Sequence, residues 1–373
     1  MKRRLPKDFR PRLNALVAAM LAGGLFPPLL QAAPEGGVVR AGSASIRQAG
    51  TQTRIDQASD RAVIDWRGFG VGATEQVLFR QPTGRSATLN RVTGDQASVV
   101  LGRIDANGQV FLVNPNGVVF GAGARIDVGS LVATTANIAN ADFMAGRLVF
   151  DQPGRPGAGI VNRGHISAAE GGLVALVAPH VRNDGLIQAR LGRVVLGAAE
   201  GFALDLYGDG LVSLALTPEQ AGQLLDAEGG SVDALIAQAG RIEADGGQVV
   251  LVSAPAARAA LDQVINLSGS VRADSVEQDG GRILLLARGG TARVEGSLSA
   301  RGTAEGSQGG SIEVLGDRVS LGSTARIDAG GQAGGGVVHV GGAFQGRGET
   351  LRAAGVRRDS RALLHRGRRR PQG

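Results

Sequence analysis

Several residue groups in this chain have types and spacings that could do chemistry. Gly68-Phe69-Gly70-Val71-Gly72-Ala73 carries the glycine pattern of a loop that cradles a dinucleotide pyrophosphate. That chemistry needs a helix to open directly after the loop, and Val77-Leu78-Phe79 reads instead as a strand ending at Pro82. His165, His180, His339 and His365 are scattered without metal-ligand spacing. His180 follows a proline at a turn and His339 falls in a strand pattern, so both are expected to face solvent. Asp205 and Asp209 flank Leu206-Tyr207-Gly208, but a calcium loop needs a run of acidic ligands, and the segment reads as a turn. Asn266-Leu267-Ser268 fits a glycosylation sequon and reads by default as a polar turn. Cleavage of a polysaccharide would need carboxylates converging on one face. Glu170, Asp245 and Asp328 fall in turns, and no acidic pair recurs on adjacent strands. No catalytic, cofactor-binding or metal-binding residues are expected.

The elements that would have to position such groups are short strands. Gly is abundant at 60 residues, aromatics make up only 3%, and the glycines are interleaved with Val, Ile, Leu and Ala. A loose repeat dominates the second half: an aliphatic residue, a small polar turn, Gly-Gly or Gly-Arg, then an alternating apolar strand. Ile166 leads through Gly171-Gly172 into Leu173-Val174-Ala175-Leu176, and Ile242 through Gly246-Gly247 into Val249-Val250-Leu251. Gly280-Gly281, Gly309-Gly310 and Gly334-Gly335 open later copies. Recurrence at roughly 20 to 35 residues signals a solenoid, and an apolar period of two makes its units strands. The expected fold is all-β: a right-handed parallel β-helix with a few extra-helical hairpins. A dozen coils at ~4.8 Å would make a rod on the order of 60 Å long. One helical excursion is expected over 218–238, where Thr217-Pro218-Glu219-Gln220 supplies an N-cap, a proline at N1 and a capping box.

The ends differ from the body. Residues 1–32 read as a signal peptide, with six basic residues ahead of an apolar core from Leu13 to Leu30 that is broken by Gly and Pro. The tail from Arg347 carries nine Arg against two acidic residues and lacks periodicity, so 347–373 reads as disordered, and a truncated or frame-shifted frame would also explain it. Between the ends, 25 Arg face 30 acidic residues, which removes the electrostatic case for nucleic acid despite a net charge of +7. There is no Cys, so a disulfide framework is excluded and the chain must bury its own core. The expected division is 33–240, then continuing β-helix repeats over 241–346.

Asn114-Pro115-Asn116-Gly117 lies between Val110-Phe111-Leu112-Val113 and Val118-Val119-Phe120, a strong type I turn signal between two apolar runs. It stands in an ordered series. Phe69-Gly70-Val71-Gly72 precedes Val77-Leu78-Phe79-Arg80-Gln81-Pro82, Leu89-Asn90-Arg91-Val92-Thr93-Gly94 and Leu101-Gly102-Arg103-Ile104; Gly129 to Thr135 and Asp142-Phe143 follow. This series resembles the N-terminal secretion domain of filamentous haemagglutinin-like exoproteins of two-partner secretion systems, over about 300 residues in all. Two departures stand out: the second, NPNL-type motif of many relatives is absent, and relatives are commonly much longer.

The resemblance implies a secreted or cell-surface protein, exported through the periplasm of a Gram-negative bacterium and touching membrane only in transit. Its partner would be an outer-membrane β-barrel transporter with periplasmic recognition modules. A truncated adhesin or haemagglutinin, with a host cell surface or glycan as a further partner, is the implied product. A β-helical polysaccharide-degrading enzyme and a stand-alone surface-binding rod are the alternatives. Two jobs remain open for Asn114, Pro115, Asn116 and Gly117. They could present a contact or folding nucleus to the transporter, or merely close a hairpin, with Phe69 to Gly72, Asn90 and Arg91 as secondary landmarks.

Overall fold

Ile104, Ile126, Ile166, Ile187 and Ile242 sit directly above one another on successive parallel strands, followed in the same column by Val271, Leu298 and Ile327. In the computed structural model this column is one of three that run through a parallel β-helix. The structure describes residues 33–204, 232–253, 263–276 and 280–341, and the backbone alone of Ser213–Ala215, Gly355–Arg358 and Leu363–His365. The second column is Val110, Leu131, Val174, Val194, Val249, Ile283 and Ile312. The third is Val118, Ile160, Val181, Ile236, Ile265, Ala292 and Val319. All three belong to one buried cluster. Each aliphatic side chain so buried stabilises the rod by about 1.5–3 kcal/mol, and a one-residue slip would turn a whole strand inside out.

Most coils therefore offer three strands. The Arg61–Trp66, Ala87–Val92, Gln109–Val113 and Ser130–Thr134 strands begin the first face. Ser98–Val100, Val118–Phe120 and Gly159–Asn162 begin the second, and Gln76–Arg80, Arg103–Ala106 and Arg125–Val128 lie on the third. The first two faces join into an 18-stranded sheet, while the third forms part of a 12-stranded one. Further on, Arg282–Val294 and Ser311–Leu321 run through the corner between the first two faces as single strands with a register shift. At the N-terminal end Val38–Ala41 pairs antiparallel to Arg61–Trp66, and the Ala44–Ala49 and Gln52–Gln57 strands form an antiparallel hairpin. Antiparallel strands there cover backbone that a bare parallel edge would leave open.

Two excursions leave the first face. One, after Thr134, holds the helix Asn140–Met144 and the strand Val149–Phe150; the other, after Ala198, holds Gly201–Ala203. Their strands join Ser213–Ala215 in a three-stranded antiparallel sheet. Together they cover the outer side of the first face, where Val63, Leu89, Phe111, Val132, Ala175 and Val195 make a second buried cluster with Phe143, Phe150 and Phe202. Burial from both sides is why Gln109–Val113 reads as an unbroken apolar run rather than an alternation.

Two sequence expectations need correction, and one open alternative is excluded. The end of the expected helix over 218–238 is a strand: Ile236–Gln238 pairs with His180–Asn183 and Gln263–Leu267, because Ile236 completes the third column. The 216–231 stretch lies outside the described residues, as does 1–32. The tail is not without pattern throughout, since Gly355–Arg358 and Leu363–His365 continue the two sheets in parallel register. A finished coil presents unpaired backbone groups that template such pairing even in an Arg-rich stretch. Finally, Gln109–Val113 and Val118–Phe120 do not pair with each other; each stacks in parallel on its own neighbours. Asn114 to Gly117 thus turns a corner of the rod and closes no hairpin.

A polar ladder runs beside the third column. Asn162 donates to the Asn183 carboxamide oxygen at 2.7 Å, and Asn183 donates to that of Gln238 at 2.8 Å, all three buried. Asn183→Ala strips a partner from both neighbours, so chemical denaturation should show a loss of about 2–3 kcal/mol. Truncation of an exposed side chain on the third face, such as Arg125→Ala, should move stability by less than about 0.5 kcal/mol.

Candidate functional site

The corner at Asn114 to Gly117 is built by side-chain amides that replace missing strand partners. The Gly117 amide donates to the Asn114 carbonyl oxygen at 3.0 Å, closing the turn, and the Asn116 amide donates to Asn114 Oδ1 at 2.9 Å. Asn114 Nδ2 donates to the Gln96 carbonyl at 3.0 Å and to Ser98 Oγ at 2.9 Å. Asn116 Nδ2 reaches the Gly94 carbonyl at 3.0 Å and also Asn114 Oδ1 at 2.8 Å. Each asparagine thus ties its turn to the Gly94–Ser98 corner of the preceding coil. Asn114 is 0% exposed, while Pro115 and Asn116 are half-buried.

The next coil closes the corner from the other side. Arg155 donates its amide to the Pro115 carbonyl at 2.8 Å. Gly117 has φ +107°, and a Cβ there would lie 2.9 Å from the Gly159 carbonyl oxygen. Only glycine suits both conditions. His180 lies one coil further, its ring so close over Gly159 that a Cβ on that glycine would collide with it. The expectation that His180 faces solvent is therefore wrong: it is 5% exposed and packs on the glycine corner. His339 is exposed, as expected.

The secondary landmarks converge on the same corner or beside it. Gly94 donates its amide to the Arg67 carbonyl at 3.1 Å, and Val71 pairs with Val100 as an isolated bridge. Arg67, Gly94 and Asn116 therefore stack on successive coils. Phe69 is buried edge-on against Trp66, with ring centroids 5.6 Å apart, and Val71 is in the core. The Gly72 amide donates to Glu75 Oε2 at 2.7 Å, so this glycine loop binds its own carboxylate and no helix follows. Asn90 lies inside the rod, where its Oδ1 accepts from Trp66 Nε1 at 3.0 Å.

Arg91 points outward from the same strand and serves the excursion. It donates to Asn137 Oδ1 at 2.7 Å, the Ile138 carbonyl at 2.8 Å and Asn140 Oδ1 at 2.7 Å, and pairs with Asp65 at 3.3 Å. Burial lowers its pKa from the ordinary arginine value, against the Asp65 carboxylate, which raises it. The guanidinium stays charged either way.

Sequence reasoning gave no role to Ser98, Gln96, Arg155, Gly159 or Gln81. Gln81 is a second corner lock: its Nε2 donates to the Ser86 and Gln109 carbonyls and to Thr88 Oγ1, each at 3.0 Å, and its Oε1 accepts from the Gly108 amide at 2.9 Å. Its sequence signals were its place in the Val77 to Pro82 landmark and its position as a polar residue ending an apolar strand. Among the described residues no group of three or more His, Cys, Asp or Glu is placed to hold a metal ion.

Asn114→Ala removes four hydrogen bonds, one buried and three part-buried, and should cost about 2–4 kcal/mol. Gly117→Ala adds left-handed strain and the contact with Gly159, about 1–3 kcal/mol. Pro115→Ala, at a half-buried position, should stay within about 1 kcal/mol. Urea midpoints of the purified variants check the order.

Known proteins bear on this architecture directly. The family model described as the TPS secretion domain matches residues 30–314. A heme/hemopexin-binding protein of Haemophilus influenzae strain Rd is 34% identical over 205 residues, covering 52% of this chain and 22% of that protein. A second H. influenzae heme/hemopexin-binding protein is 46% identical over 84 residues, covering 22% of this chain and 9% of its own length. The chain thus spans under a quarter of the curated relatives it matches. The crystal structure of the HMW1 secretion domain from H. influenzae superposes with a TM-score of 0.76 at 30% identity, covering 88% of this chain and 82% of that one. The landmark corner and the parallel β-helix that carries it belong to a TPS secretion domain: this chain is a member of that family, the secretion domain of a two-partner secretion exoprotein.

Proposed function

We propose that this domain directs export of its exoprotein through a cognate outer-membrane β-barrel transporter, and that the Asn114–Gly117 corner is where folding of the emerging rod begins. The observation that carries the second half is the burial of Asn114: its amide and its Oδ1 are all engaged within the rod. A folded domain has nothing at Asn114 left to offer a transporter. Two of these four bonds close the turn itself and two reach only as far back as Gln96 and Ser98, so all form before any distant strand is needed. Each later coil then uses the previous one as its template.

Family membership supports placing the product outside a Gram-negative cell. We extend this to a secreted or surface-held adhesin of the haemagglutinin type that meets a host surface or glycan. The heme and hemopexin binding named for the H. influenzae relatives belongs to proteins of which this chain matches only 22% and 9%. That activity is not carried over.

The test pairs kinetics with export. Asn114→Ala and Gly117→Ala are expected to slow refolding several-fold and to lower the secreted yield when a cognate transporter is co-expressed. Leu285→Ala, a core truncation far along the rod, should instead mainly speed unfolding and leave the yield near wild type. Lost export of Asn114→Ala with unchanged refolding would show that the transporter reads the motif itself, and would sink the nucleation idea.

A further inference from the structure

The second core departs from nearest-neighbour stacking. Phe150, on the first excursion, pairs in antiparallel register with Phe202, on the second, and their rings stack 4.5 Å apart at 6°. Phe150 also stacks on Phe111 of the rod at 6.4 Å, and Phe111 meets Phe143 edge-on at 5.2 Å. The helix bearing Phe143 packs back on Arg61–Trp66, in the first parallel coil, with the Arg61 guanidinium 5.5 Å from the ring centre. Arg91 pins the same excursion through Asn137, Ile138 and Asn140. One continuous run of contacts thus reaches from Arg61 to Phe202, across coils that touch one another only in sequence through the rod itself.

We propose that the Phe150–Phe202 pair is a latch that converts the coils from Arg61 to Ala198 from a stack of separable units into one cooperative block. Until residues 201–203 are in place, Val149–Phe150 lacks its strand partner, and the outer side of the first face is covered by one excursion alone. Once they are in place, opening any of these coils from its exposed side breaks the shared aromatic stack. Beyond Gln248 only Val250 packs against this second core, and none of the aromatic contacts extends there, so the later coils open independently. The latch rests on packing and pairing in the folded chain, so it stands or falls separately from the nucleation role of Asn114.

Hydrogen exchange read by mass spectrometry on the full chain tests it. Phe202→Ala should raise exchange by about tenfold or more in Asn140–Phe150 and also in Gln109–Val113 and Ser130–Thr134, which Phe202 does not pair with. Phe202→Leu, which keeps most of the apolar volume and will fold if the alanine variant does not, should show the same pattern at smaller size. Leu285→Ala should leave all three segments unchanged. Faster exchange confined to residues 199–204 in both Phe202 variants would overturn the latch, as would spread of the Leu285→Ala effect into the block.

Discussion

Register is the constraint on which this structure depends. In a parallel β-helix each strand's backbone groups find partners only in the coil before and the coil after, and each inward side chain meets its equivalents there. Ile104 over Val77 and under Ile126 is one link; the same relation holds along three columns. Because side chains alternate across a strand, a slip of one residue would exchange Ile126 for Arg125 or Asp127 in the interior. The interior aliphatics therefore fix the position of everything outside them, including the excursions and the corners.

Corners are where that rule fails locally, since a turning backbone cannot pair as a strand does. The chain meets this with amide side chains. Asn114 and Asn116 serve the Gly94–Gln96 carbonyls, Gln81 serves those of Ser86 and Gln109, and Asn90 serves the indole of Trp66 within the rod. Buried polar groups left unmet would each cost about 1–3 kcal/mol, so a corner either has its amide or does not form in this way. A motif that looks like a surface turn in one coil is in this sense a joint between three.

The sequence made the rod legible because its signals are local: period-two apolar runs, glycine pairs at corners, and a recurring aliphatic ahead of each. The same locality hid the rest. That Gln109–Val113 is buried on both sides depends on Phe143, Phe150 and Phe202, which lie on other elements. A hairpin stayed open as one reading of the Asn114 turn because a turn between two apolar runs is identical in sequence whether the strands pair or pass on to different faces. His180 read as exposed because proline before it signals a turn, whereas Gly159, one coil below, makes the space that the ring fills. Thr217 to Gln220 carries real helix-start chemistry, but Ile236 at its far end answers to Val181 and Ile265 instead.

Polar residues in this rod serve largely to hold one coil to the next. An enzyme leaves carboxylates, imidazoles or amides unpaired at a cavity so that a substrate can complete them. Among the described residues many buried amides and acids are spent on the chain itself, although Gln109 Oε1, Asn116 Oδ1, Gln238 Nε2 and Asn266 Oδ1 lack a partner. Asn162, Asn183, Asn114 and Gln81 bond to one another or to neighbouring coils, Glu75 closes on the Gly72 amide, and Asp274 accepts from the Arg301 amide. These groups recognise the chain's own backbone, one coil to the next. For a domain whose family is defined by secretion rather than turnover, that is the expected allocation: what has to be specific is the order and register in which the rod assembles. Side chains that would line a binding site elsewhere here join one coil to the next.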